Sequence, residues 1–370
     1  MSTFLWWRDN LPKPRPYSNQ RVRRHNAVMN YLGNCSESDF IDLYRIDKHG
    51  LHFFANKLKK NADLTRSTGA GLPVEGQLLV TLRYFATGNS IKSLQNTASL
   101  NLSVGSVYKC IVHVSSAIAS LGNDFIKFPS TAKEITEIKR GFYEYGGFPA
   151  VMGAIDGTVI RIKPPSTNEE AYVGRKEGHS INCQVICDID EKFIDAVVRW
   201  PGSTHDSTIW QLSGAKNIFE AIVKREGRNF KGWLLGDSGY AQREIMMVPL
   251  LDEELTPKQK RYNGAHKKCR CTVERAIGVL KSRFRCLCKK TGGAIMYHER
   301  TACDIIVSCI VLHNYCRDRN LMYNVDEDVK EMLRKESTLN LTRNHQGKAS
   351  EKEALKLGQL ARDAVIDSFM

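Results

Sequence analysis

Three carboxylates stand out by where they fall in the chain. Asp156 ends the apolar run GAID and is followed by Gly157. Asp237 ends the run WLLGD and is followed by Ser-Gly-Tyr. Glu274 is the single acid in the stretch 258–290, among twelve Lys and Arg residues. A charged residue closing an apolar strand beside a glycine leaves room for a close approach, and sites in open α/β sheets form beyond the strand ends. Taken singly, each aspartate is an ordinary turn or cap residue; two on separate strands begin to describe a site. Two Asp and one Glu supply hard oxygen donors that suit a pair of Mg²⁺ or Mn²⁺ ions and leave room for water and phosphate oxygens. Such a pair activates a water or hydroxyl on one side of a phosphorus and stabilises the leaving oxygen on the other.

The segments around these acids predict an α/β unit with a mixed sheet. VMGAIDGTVIRIKPP, HSINCQVICDID, KFIDAVVRW and GWLLGD read as four strands, the second and third joined by a short polar turn. A helical pattern covers Gly202 to Glu226, and further helices are expected at about 241–248, 267–288 and 299–316. In the helix around Glu274, the residues Val273, Ile277, Leu280, Phe284 and Leu287 form one apolar stripe. Glu274 lies at its flank, on a side shared with Arg270, Gly278, Lys281 and Arg285. The plain alternative for Glu274 is an i,i+4 ion pair with Arg270, worth a few tenths of a kcal/mol.

Residues 36–122 read as helical. Leu78, Leu79, Leu82, Phe85 and Ala86 recur at helical spacing and Gly88 closes the segment. A short helix from Ser90 carries Ile91, Leu94 and Ala98, a turn follows, and a longer helix starts near Val104. This order fits a helix-turn-helix, in which Ser103, Ser106, Tyr108 and Lys109 would begin the recognition helix; an ordinary three-helix packing unit fits equally. Residues 7–24 read as an extended basic arm. The polar tail from about 326 ends in a helix opened by the capping pair Ser350 and Glu353.

The 54 Lys and Arg against 40 Asp and Glu give a net charge of +14 and a pI near 9.2. The excess fits a polyanionic partner or a merely basic soluble protein. The longest apolar stretch, DIIVSCIVLHN, is too short to span a bilayer, so no membrane role is expected. Eleven scattered cysteines fit a reduced, intracellular protein, and Cys269-x-Cys271 and Cys286-x-Cys288 lack zinc-knuckle spacing. Asp206, beside His205 and just ahead of a helix, reads as an N-cap rather than a ligand. Asp188 and Asp190 read as turn residues, His313 and Asn314 as polar groups in the core, and Tyr240 as a packed aromatic.

AIDGT, GSTHDS, LLGDSGY, RYN and RCTVERAIGVLKSRFRCL, in this order and spacing, resemble the PIF/Harbinger superfamily of DDE transposases and the nucleases derived from them. The resemblance runs from about 75 to 316, and the ending GQLARDAVIDSF is similar too. It implies an RNase H-like mixed sheet flanked by helices (145–320); the residues themselves place a basic arm (1–35) and a helix-turn-helix-like region (36–125) before it and a polar tail (321–370) after it. It carries the family's acids onto Asp156, Asp237 and Glu274, as catalytic residues and as ligands of two Mg²⁺ or Mn²⁺ ions. The implied reaction is hydrolysis of DNA phosphodiesters, with strand transfer in an active transposase. Lys267, Lys268, Arg270, Arg275, Lys281, Arg285, Ser106 and Lys109 are the expected DNA contacts, with Arg275 able instead to orient the neighbouring carboxylate. A Myb-like partner protein, a nuclear or partly cytoplasmic location and a homo-oligomer are compatible with the family. The alternative is a non-catalytic DNA-binding or recruitment protein that keeps the fold.

Overall fold

The computed structural model describes residues 17–61, 64, 71–174, 178–227, 231–324, 326, 327, 329–331 and 349–369. The chain divides into two compact units, 1–117 and 118–370.

The first unit is helical: α1 (Tyr17–Asn34), α2 (Glu37–Tyr44), α3 (Lys48–Leu58), α4 (Val74–Thr87) and the start of α5 (Val104–Ala119). The part of the expected basic arm within 17–24 is therefore helix, and its residues 7–16 lie outside the described residues. α1, α2 and α3 all pack on α4, whose Leu78, Leu79, Leu82, Phe85 and Ala86 are buried. α4 ends where expected, because Gly88 takes the left-handed conformation (φ 67°) that a side chain resists. The expected second helix is instead two 3₁₀ turns, Ile91–Leu94 and Thr97–Ser99. Ala98, Ser99 and Asn101 all have positive φ, which breaks an α-helix at each step. Leu94 and Ala98 are still buried, so the apolar spacing was read correctly and the helix type was not.

After a single helical turn at Gly122–Phe125, the second unit continues with α6 (Ala132–Gly146), held by a Thr131/Glu134 capping box. Six strands then form one mixed sheet: β1 (Val151–Arg161), β2 (Val173–Gly174), β3 (Gly178–Cys187), β4 (Phe193–Pro201), β5 (Trp233–Leu235) and β6 (Met246–Met247). The order is β2-β3-β1-β5-β6, with β4 also paired to β3. β3 is antiparallel to β1 and β4, while β5 runs parallel to β1 and β6 parallel to β5. This is the mixed, helix-flanked sheet of an RNase H-like fold. The expected helix at 241–248 is β6, because Met246 and Met247 pair with Leu234 and Leu235. The helical stretch after β4 breaks into α7 (Asp206–Gln211) and α8 (Gly214–Glu226), with Ser213 capping the second. Beneath them lies a core of Ile155, Ile186, Trp210, Phe219, Leu234 and Tyr240.

α9 (Pro257–Arg283) starts earlier than its apolar stripe suggests, from a Thr256/Gln259 capping box with Pro257 at the first turn. It packs on β1, β3 and β5. It ends at Arg283, so Phe284 and Leu287 extend the buried stripe from the turn beyond the helix. α10 (Glu299–Asp318) lies on β4. In it, Asn314 accepts from the Phe193 N–H and donates to the Phe193 and Phe125 carbonyls, and His313 bonds the Glu191 carbonyl. Both are core polar groups, as expected. The tail helix α11 (Ala349–Asp367) packs on β6 and α9, where the Gly358 carbonyl accepts from Gln242. Ser350 lies inside α11 rather than at its N-cap.

Candidate active site

Asp156 does not end its strand. β1 runs on to Arg161, and it is the neighbouring β5 that stops at Leu235. Ala154 pairs with Leu235 in the parallel register. Two residues further along each chain come Asp156 and Asp237, side by side where β5 gives out. Both are buried (9% and 8% exposed). Each carboxylate is oriented by its own turn: Asp156 Oδ1 accepts from the Gly157 N–H and Asp237 Oδ1 from the Gly239 N–H, both at 2.9 Å.

Glu274 approaches from α9. One guanidinium joins it to Asp156: Arg270 Nη1 donates to Asp156 Oδ2 at 3.3 Å, and Nη2 donates to Glu274 Oε1. The i,i+4 pair offered as the plain alternative for Glu274 therefore exists, and it is also the link to the strand aspartate. The Arg270, Asp156 and Glu274 side chains are 16%, 13% and 25% exposed, so this cluster is largely withdrawn from water. Burial pushes the Asp156 carboxyl up to about 8; Arg270 opposes this, while Asp237, Asp206 and Glu274 add to it. Three carboxylates thus act electrostatically on Asp156, with the Arg270 guanidinium opposing them.

Asp206 lies across β1 from this group and acts on Asp156 through its charge, and it is not the cap it reads as. His205 takes the N-cap position and Asp206 is the first helical residue of α7. Its Oδ1 accepts from Asn182 Nδ2 at 2.7 Å, and its carbonyl accepts from Gln184 Nε2. A Cβ built on Gly157 would lie 2.4 Å from Asp206 Oδ1, so the carboxylate rests against the β1 backbone on the sheet face opposite the Asp156 side chain. Gly157 is what the approach requires. The missed signal was polar: Asn182 and Gln184 interrupt an otherwise apolar strand, and both bond Asp206. Gln184 also donates to the Tyr240 hydroxyl at 3.0 Å, and Tyr240 is packed at 2% exposure, as expected. Burial, with Asp206, Asp156 and Asp237 behind it, holds the Tyr240 phenol well above its usual range.

The expected DNA contacts divide. Lys267 and Lys268 are exposed on α9, Lys268 with its ammonium 5.3 Å from the Tyr145 ring centre. Arg275 is spent on structure: its Nε bonds Glu191 at 2.8 Å and its Nη1 the Tyr145 hydroxyl at 2.9 Å. Its bonds go to these two residues and not to Glu274, although its side chain stays 42% exposed. Lys281 is 1% exposed, which withdraws it from any DNA surface. A charged residue on the helix side opposite the apolar stripe reads as solvated, but α9 is enclosed all round from Ala276 to Arg283. Arg285 pairs with Asp326 at 3.1 Å. In the first unit, Lys109 is exposed, and Ser106 Oγ lies 2.9 Å from Ser103 Oγ at the start of α5. Asp188 is a turn residue, accepting from the Lys192 N–H. The cysteines are all free.

Hard oxygen donors from a strand, a strand end and a helix are the set a divalent cation takes. Among the described residues no three such side chains are yet drawn into coordinating range. Arg270 explains the spacing, since its guanidinium bridges Asp156 to Glu274 where positive charge is called for. The donor set therefore fits a divalent cation once that guanidinium moves.

A family profile described as DDE superfamily endonuclease matches residues 155–314. The chain is 32% identical over 293 residues to the human protein named "Putative nuclease HARBI1", covering 79% of this chain and 81% of that one. It is 29% identical over 302 residues to the Xenopus laevis protein of the same name, covering 81% and 84%. It is 25% identical over 261 residues to the Arabidopsis thaliana protein Antagonist of Like Heterochromatin Protein 1, covering 68% and 64%. No solved structure matches the chain. Among the described residues no helix is long and apolar enough to cross a membrane.

Proposed function

Because this chain belongs to the DDE superfamily endonucleases, among the Harbinger transposase-derived nucleases, we propose that it hydrolyses DNA phosphodiesters at a divalent-cation site held by Asp156, Asp237 and Glu274. One observation carries the reading: buried Asp156 on β1 stands level with buried Asp237 just past the end of the adjacent parallel β5, and Arg270 ties Asp156 to a glutamate from α9. The family generally works with divalent metal ions; the choice of Mg²⁺ or Mn²⁺, in a pair, is part of the proposal. When bound, such ions activate the attacking water and stabilise the leaving 3′ oxygen.

The chain's own groups do the rest. Asp156, Asp237 and Glu274 supply the charge, and the glycine N–H donors fix the two aspartates in place. Asp156 must lose its proton, which burial retains up to about pH 8, before it can serve as a ligand. Arg270 holds the carboxylates together in the absence of a cation and is released toward the backbone phosphate when the cation enters. Lys267 and Lys268, three and two residues before it on α9 and exposed, neutralise adjacent phosphates.

The second reading, a chromatin-recruitment protein without turnover, draws on the Arabidopsis relative, whose name speaks of antagonism to a heterochromatin protein and not of cutting. A nuclear site of action and a Myb-like partner accompany either reading. Supercoiled plasmid incubated with the purified chain separates the two readings. Nicking in Mn²⁺ or Mg²⁺, abolished by EDTA and not competed by RNA, is the expected result. Binding that shifts the plasmid without nicking it in either metal supports recruitment instead.

A further inference from the structure

An aromatic side chain of the second unit stands open to solvent on the helix that carries Glu274. Tyr145, in the last turn of α6, is 37% exposed. Gly146 lets α6 lie directly on α9, since a Cβ there would collide with Cys269 Sγ. The Tyr145 ring is thereby set beside Lys268 and Arg275, with the Lys268 ammonium 5.3 Å and the Arg275 guanidinium carbon 5.5 Å from the ring centre. Those two residues bracket Arg270 and Glu274 along α9, so the ring lies against the same two turns of helix that carry the link to Asp156. The ring is held by its rim. Arg275 Nη1 donates to the Tyr145 hydroxyl at 2.9 Å, and Arg275 Nε donates to Glu191 on the hairpin between β3 and β4 at 2.8 Å. The Glu191 carboxylate, 13% exposed, also pairs with Arg317 at 3.5 Å, and its carbonyl bonds His313. A clamped glutamate thus orients an arginine, and the arginine orients a ring whose surface stays partly open.

An exposed ring set among cations suits an unpaired base: the base stacks on the ring, a cation meets its phosphate, and the contact ignores sequence because every base has a π face. A base inside a duplex is already stacked on its neighbours and has no face to offer. We propose that Tyr145 is a stacking platform for one unpaired base beside the scissile phosphate, with Lys268 neutralising that nucleotide's phosphate and Arg275 as the positioning residue for the ring. The favoured substrate is then DNA with an unpaired base at the cleavage site. The inference rests on the nuclease reading above and names the form of DNA that it takes. It also accounts for Arg275 turning away from Glu274, since its bonds fix the ring instead.

The test is the fluorescence anisotropy of short labelled DNAs bound by the full chain in EDTA, so that nothing is cut. The DNAs are a single strand, a blunt duplex and a duplex with an unpaired bubble; the proteins are the wild type, Tyr145→Ala, Tyr145→Leu and Tyr145→Phe. Tyr145→Ala and Tyr145→Leu are expected to weaken binding to the single strand and the bubble by ~5- to 100-fold, the loss of one stacked base, and to leave the blunt duplex unchanged. Tyr145→Phe, which keeps the ring, is expected to retain most of the wild-type affinity. No Tyr145 variant should change the slope of log affinity against log salt, because none removes a phosphate contact, whereas Lys268→Ala should lower it by about 0.7 on the single strand. Tyr145→Leu keeps bulk against α9 and decides the matter where Tyr145→Ala fails to fold. Wild-type affinity for the unpaired DNAs in Tyr145→Leu overturns the inference, and so does an equal loss on duplex and unpaired DNA. Either result leaves the nuclease reading standing, which plasmid nicking in Mn²⁺ tests separately. A wild type that binds none of the three DNAs overturns both.

Discussion

Arg270→Gln gives the sharpest stability prediction. The guanidinium is the cation bonded to both Asp156 and Glu274, within a cluster that also feels Asp237 and Asp206. All three bonded side chains are at most a quarter exposed, so water screens them little. Removing one partner of a buried ion pair costs about 3–5 kcal/mol, because the remaining charges stay desolvated and uncompensated. In a unit the size of 118–370 that corresponds to a fall in melting temperature of roughly 6–20 °C. The effect grows above pH 8, where Asp156 carries its charge. The assay is thermal unfolding followed by circular dichroism, in EDTA and in Mn²⁺. In EDTA the variant should melt well below the wild type. In Mn²⁺ the gap should narrow, since a ligand at 100 times its Kd stabilises by ~2.7 kcal/mol and no longer competes with the arginine. A variant that melts in EDTA at or above the wild type would refute the idea that Arg270 stands in for the cation.

Three further outcomes follow from the same geometry. Gly157→Ala drives a Cβ to 2.4 Å from Asp206 Oδ1, and the overpacking should cost about 1–3 kcal/mol in urea unfolding. Burial pulls His313 down to about 3, so its contribution is complete above the unfolded value near 6.5 and is lost as the pH falls below it. His313→Gln, which can still donate to the Glu191 carbonyl, should therefore be less stable than the wild type at neutral pH, and the difference should shrink by roughly 3 kcal/mol at about pH 4. Lys267→Ala and Lys268→Ala should each weaken DNA binding alike across sequences and lower the log-affinity against log-salt slope by about 0.9; buried Lys281→Ala should alter melting temperature and leave that slope unchanged.

The acids of the site were legible because a charge at the end of an apolar run has few physical explanations. Their setting was less so. Asp156 reads as a strand end, yet the opening beside it is made by the early stop of β5, a property of the neighbour that the β1 sequence does not contain. The first half of α9 lacks an apolar stripe and is anchored by Tyr262, His266 and Cys269, each buried against other elements. Lys281 reads as a DNA contact, but α9 is enclosed there, and the neighbouring Arg283 finds the Leu321 carbonyl 38 residues away and the Tyr323 ring. Arg275 sits beside Glu274 in sequence and turns instead to Glu191, which a hairpin brings to it. Asp206 was discounted because a position just ahead of a helix is ordinarily a cap. The polar pair Asn182 and Gln184, alternating along a buried strand, was the contrary signal, since such amides are buried only where they have something to hold.

The central claim is that Asp156, Asp237 and Glu274 carry cleavage and not DNA affinity. It is tested most directly by measuring Mn²⁺-dependent cleavage and DNA binding side by side for the wild type, Asp156→Asn, Asp237→Asn and Glu274→Gln. The account predicts that each substitution abolishes cleavage while DNA affinity is kept or tightened, because each leaves Lys267 and Lys268 in place and none adds negative charge to the surface that meets phosphate. Cleavage that survives all three substitutions would contradict it.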